Sequence, residues 1–113
     1  MAGNVQELRL YDAMPGKLPE LHTRFANHTM TLFRQHGMEN IGYWTETFGT
    51  SNRLVYMLGY PSLGEREKSW RAFGADPDWQ RVRAESEQNG TLVAKIRNLV
   101  LRPTAYSPRG EGI

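Results

Sequence analysis

Residues 70–79, WRAFGADPDW, decide how the second half of the chain folds, because they write a helix stop and a helix restart among clustered aromatics. Gly74 offers a left-handed cap to the helix before it, Asp76 an N-cap to the one after, and Pro77 the favoured first helical residue. Working back, Ser62 and Glu65 have capping-box spacing and open a helix that reaches about Phe73. Working forward, the helical piece begun at Asp76 runs to about Gln88, where Asn89-Gly90 ends it. Residues 91–101, TLVAKIRNLVL, then read as the last strand.

The first half supplies the remaining elements. Residues 5–11 alternate as a strand, with Leu8 and Leu10 on one face and Val5, Glu7, Arg9 and Tyr11 on the other. Pro15, Gly16 and Pro19 close it, and Leu18, Leu21, Phe25, Leu32 and Phe33 form an apolar stripe that predicts one helix over 18–36, capped by Gly37. Residues 40–48 and 53–60 are aromatic and β-branched and are joined through GTSN, the pattern of an antiparallel hairpin. The order strand, helix, strand, strand, helix, strand is the ferredoxin-like α+β arrangement, βαββαβ, with helices on one face of a four-stranded antiparallel sheet. On the third strand Val55 and Met57 point one way while Leu54, Tyr56, Leu58 and Tyr60 point the other, so both sheet faces call for burial. A second copy packed on the helix-free face is the expected solution, giving a homodimeric α/β barrel on which larger assemblies could build. The whole chain, 1–113, reads as one domain with its core over 5–102 and a C-terminal arm over 103–113.

Composition bounds the function classes. The 14 basic and 12 acidic side chains are interspersed, so no basic block points to nucleic acid or an acidic membrane. Without cysteine there is no disulfide framework, thiolate nucleophile or thiolate metal site. No apolar run approaches the roughly 20 residues that span a bilayer, and the first residues lack a basic and apolar leader pattern, which together favour a soluble, cytoplasmic protein.

Five segments in order, ELRLY, GKLPEL, HGMENIGYW, FGADPDWQRVR and LRPTAYSP, make residues 5–108 resemble the NIPSNAP family. The resemblance implies a place in the dimeric α/β barrel superfamily. It implies kinship of fold with cofactor-independent quinol-type monooxygenases, muconolactone-type isomerases and haem-handling barrels. It carries no agreed catalytic motif, so function has to be argued from the residues.

Histidine is the usual acid or base near neutral pH. His22 and His36 fall within the helical stripe and His28 on its edge. His36 reads either as a helix cap or as a pocket acid or base. About 21 Å of helix axis separates His22 from His36, so they cannot share a metal ion, and neither HxH nor HExxH occurs. Glu7, Arg9 and Tyr11 share one face of a central strand, where a charge is either paired or lines a wet cavity. Lys95 and Arg97 alternate similarly on the last strand, and Arg9 or Arg97 could recognise an anionic or carbonyl-bearing ligand. Most of the aromatics build the core and dimer contact, with Trp44 and Trp70 as candidates to line a pocket for a planar ligand. Three functions remain: a homodimer that binds a small apolar or aromatic molecule through Trp44, Tyr11, Arg97 and Trp70; a cofactor-independent monooxygenase or isomerase acting on an electron-rich, acidic molecule through His36, Arg9 and Tyr56; or, if there is no cavity, a purely scaffolding dimer. None calls for a metal or another cofactor.

Overall fold

Every odd-numbered residue from Val5 to Ala13 is buried and every even one less so, which is the period of a strand with one covered face. In the computed structural model, which describes residues 4–108, that strand is β1 (Val5–Ala13). It is followed by α1 (Leu18–Arg24), a π turn (Phe25–Thr29), α2 (Met30–Gln35), β2 (Glu39–Trp44), β3 (Arg53–Tyr60), α3 (Leu63–Ala75), α4 (Pro77–Ser86) and β4 (Val93–Leu101). The strands lie in the order β2-β3-β1-β4, each neighbour antiparallel, so β1 is central as its buried charges require. This is the ferredoxin-like α+β fold.

Strand register separates two chemically different faces, because opposed residues point the same way. On the helix side Arg9 lies between Tyr56 and Asn98, and Tyr11 between Leu54 and Ile96. On the other side Leu8 lies between Met57 and Leu99, and Leu10 between Val55 and Arg97. The core fills the first face: Leu21, Phe25, Leu32 and Phe33 from the helices pack on Leu54, Tyr56, Leu58 and Tyr60. Phe73 joins Phe33 at 5.0 Å between ring centroids and stacks on Trp79 at 4.7 Å.

Four local expectations are corrected. The helix over 18–36 is interrupted, because the Met30 amide reaches back five residues to the Phe25 carbonyl. Phe25, Thr29, Leu32 and Phe33 are all buried, and the Thr29 hydroxyl donates to the Arg24 carbonyl, five residues back, at 3.3 Å. Gly74 is not a left-handed cap but lies within α3. The stop falls two residues later, at Asp76, whose extended backbone (φ −71°, ψ 120°) is what a residue preceding proline prefers. Gly37, at φ +84°, does take the left-handed cap role. The second strand ends at Trp44 rather than 48, leaving Phe48 93% exposed in the loop, and the last begins at Val93 rather than 91.

Ser62 caps α3 by accepting the Glu65 amide at 3.1 Å. Asp76 caps α4 by accepting the Asp78 amide at 2.8 Å, and its other oxygen pairs with His36 Nε2 at 2.7 Å. The His36 bond first, and the Asp78 amide second, hold the Asp76 carboxyl below its ordinary value. Asp76→Ala is expected to lower the denaturation midpoint, and Asp76→Asn, which keeps an acceptor, to lower it less. Thermal melts of the three proteins check this, and an Ala variant that melts with the parent contradicts it.

Candidate small-molecule site

The centre of the helix-covered face is a buried ion network. Glu7, fully buried on β1, accepts five hydrogen bonds: Arg9 Nη1 at 2.8 Å, Arg66 Nε at 3.0 Å and Nη2 at 2.9 Å, Tyr60 Oη at 2.6 Å and Asn98 Nδ2 at 2.7 Å. Burial pushes the Glu7 carboxyl up, but the Arg66, Tyr60 and Asn98 bonds and the Arg9 charge outweigh it and hold the group at about 2. The other donors of Arg9 reach Tyr56 Oη at 2.8 Å and Tyr11 Oη at 3.0 Å, and Tyr56 Oη donates to Tyr11 Oη at 2.8 Å. Burial works against the Arg9 cation, and its surroundings, Tyr56, Tyr11 and Glu7, more than restore it. The guanidinium also lies 4.4 Å over the Trp70 ring, whose N–H donates to Tyr60.

Above this floor is a cavity of about 490 Å³ between the sheet and the helices. Phe25, Phe33, Trp70, Phe73 and Trp79 form its aromatic walls, Arg9 and Tyr11 its floor, and Arg24, Arg83 and Glu87 its charged far side, with β4 along one flank. Arg24 is buried and donates through Nη1 to Ser86 Oγ at 3.2 Å and Glu87 at 3.4 Å.

Of the residues singled out from sequence, the structure brings Arg9, Tyr11 and Trp70 to the cavity. Tyr56 stands behind Tyr11, fully buried, and is a support for Arg9 rather than a lining group; burial first, then Tyr11, raises its hydroxyl well above the ordinary value. His36 is elsewhere: the end of α2 carries it to Asp76 at the α3–α4 junction, outside the lining, so it cannot be the acid or base of this cavity. Trp44 is on the opposite sheet face, opposed to Val55, with its ring folded over Gly42, where an added Cβ would lie 2.6 Å from the indole. Arg97 likewise opposes Leu10 on the helix-free face. Sequence reasoning missed Arg24, Arg66, Asn98 and Glu87. Asn98 was readable, being in strand phase with Ile96, and Arg24 was too, three residues beyond Leu21 on the stripe; both were hidden by their polarity.

A NIPSNAP family model matches residues 6–108. The chain belongs to the NIPSNAP family. It is 34% identical over 79 residues, 69% of its own length, to Protein NipSnap homolog 3B of Mus musculus. This NIPSNAP chain spans only 31% and 19% of the lengths of two curated relatives that it matches. A crystal structure of a NIPSNAP-like domain protein from Burkholderia xenovorans superposes with a TM-score of 0.81 at 28% identity, over 92% of this chain and 88% of that one. At 18% identity and a TM-score of 0.62, over 91% of this chain and 88% of that one, a Streptomyces coelicolor monooxygenase in complex with Nanaomycin D shares the fold alone. Among the described residues no helix is long and apolar enough to cross a membrane.

The network has a pH signature. Because the folded Glu7 pKa is depressed from 4.5 to about 2, its contribution is fully present above pH 4.5 and is lost as pH falls from there towards 2. Glu7→Gln is expected to cost ~3–5 kcal/mol at neutral pH, since it leaves two arginines without their buried carboxylate. The gap from the parent should close on acidification to pH 2. Denaturant titrations across that range check both parts, and a gap that stays constant contradicts the ionised assignment.

Proposed function

We propose that this NIPSNAP chain binds a small apolar or aromatic molecule in the cavity between sheet and helices, and that it does so as a homodimer. The observation that carries the binding reading is the lining: six aromatic side chains around a volume of about 490 Å³, inside the span of roughly 300–1,000 Å³ usual for ligand pockets. Large rings with a few fixed polar groups favour a planar ligand, since rings supply apolar contact at small entropic cost. The floor is already in place, because Arg9 and Tyr11 are held by the Glu7 and Tyr56 bonds without a ligand, and such preorganisation strengthens binding.

The rival, cofactor-independent oxygenation or isomerisation, needs a proton acceptor at the ligand. Among the described residues no histidine lines the cavity, the Tyr11 hydroxyl is engaged by Arg9 and Tyr56, and the lining carboxylate, Glu87, is held by Arg24 and Arg83. Binding is therefore the reading that the lining supports.

The dimer is supported by the sheet face without helices. Leu8, Leu10, Trp44, Val55, Met57, Leu99 and Leu101 share it by register, with Trp44 51% and Leu99 54% exposed in the single chain. An apolar patch of this kind, flanked on the same face by Arg97 and Lys95, is rarely left in water, and a two-fold copy of itself is a surface of matching shape.

Two measurements check these readings. In a two-dimensional NMR spectrum, one- and two-ring aromatic molecules should shift the indole N–H signals of Trp70 and Trp79 and leave that of Trp44 in place; shifts confined to Trp44, or none, contradict the cavity. Sedimentation at micromolar concentration should report two 13.0 kDa chains, and Leu99→Arg should return one. A parent protein that sediments as one chain ends the dimer reading.

A further inference from the structure

We infer that the ligand of this cavity carries an anionic group and that Arg24, not Arg9, receives it; the inference rests on the binding reading above. The described lining holds the cations of Arg9, Arg24 and Arg83 against the carboxylate of Glu87, with Lys95 turned by its pairing opposite Asp12 towards the helix-free face. The Glu7 carboxylate behind Arg9 is shared with Arg66, so it does not cancel the excess.

The two buried arginines are not equivalent. Arg9 has an acceptor on each nitrogen, at 2.8 to 3.0 Å. Arg24 has only the two longer contacts of its Nη1, and its buried Nε has no acceptor among the described residues. Burial pulls the Arg24 guanidinium below its usual range, and Glu87 restores only part of this. Arg24 is thus a desolvated, under-compensated cation, the kind of group that gains most from a carboxylate with fork geometry. Glu87 can yield its place without itself being stranded, since its other oxygen is 3.6 Å from Arg83. The Arg24 guanidinium lies 5.2 Å over the Trp79 ring, so an acid bound there has its apolar body beside the aromatic wall. The ligand class is an aromatic carboxylate.

The test compares 2-naphthoate with its neutral isostere 2-naphthamide by calorimetry on the full chain, with the Trp70 and Trp79 indole signals as site reporters. The naphthoate should bind on the order of 10-fold tighter or more, the usual worth of a charge-assisted pair. Arg24→Met should abolish that preference, so that the acid and the amide bind alike. Glu87→Gln should tighten the acid, because Arg24 then has no competing carboxylate. Equal affinities in the parent, or a preference that survives in folded Arg24→Met, overturn the inference. If Arg24→Met does not fold, Glu87→Gln decides, and an acid that binds it no tighter than the parent overturns the inference. Failure of both molecules to move the Trp70 and Trp79 signals overturns the binding reading itself.

Discussion

The ionised carboxylate of Glu7, buried beneath two arginines, is the constraint on which the rest of the structure depends. A lone carboxylate in that position would cost several kcal/mol, and removing one partner of such a cluster strands the others. Its five hydrogen bonds therefore tie together elements that are distant in sequence: Arg9 on β1, Tyr60 on β3, Arg66 on α3 and Asn98 on β4. Through Arg9 the network positions Tyr11 and Tyr56, and through Tyr60 it positions Trp70. The floor of the cavity and part of its wall are consequences of one buried charge.

The other side of the cavity is built differently. The π turn holds the buried Phe25 and Thr29, and it ends the preceding helix at Arg24, which lies against Trp79 of α4. Fully bonded on one side and weakly bonded on the other, the cavity has a rigid pole and a receptive one. If the proposed binding holds, the rigid pole shapes the space and the receptive pole selects what enters it.

The sequence made the fold legible where a local signal had only one physical outlet. The Ser62 and Asp76 caps, the Gly37 stop and the alternation of Val5, Glu7, Arg9 and Tyr11 each occur as read. The π turn was not legible, because Phe25, Thr29, Leu32 and Phe33 fall at i, i+4, i+7 and i+8, the spacing of an uninterrupted α-helix. The site was legible along β1, where a charge on a central strand has to be paired, and at Trp70 of α3. His36, Trp44 and Arg97 were misplaced because composition and neighbouring glycines say nothing about which sheet face or helix end a side chain reaches. The burial of Arg24 was hard to read for a further reason: a charged residue on a helix ordinarily faces water, and the packing of α4 against the π turn is what keeps this one from it.

The central claim is that Glu7 is charged inside the core and that this charge organises the cavity. Carbon-13 NMR reads it directly, by following the side-chain carboxyl signal of Glu7 as the pH is lowered in the folded protein. The account requires that signal to stay in its ionised position through pH 4.5 and to titrate near 2. A midpoint at or above 4.5 would show a neutral or loosely held carboxyl and would contradict the account.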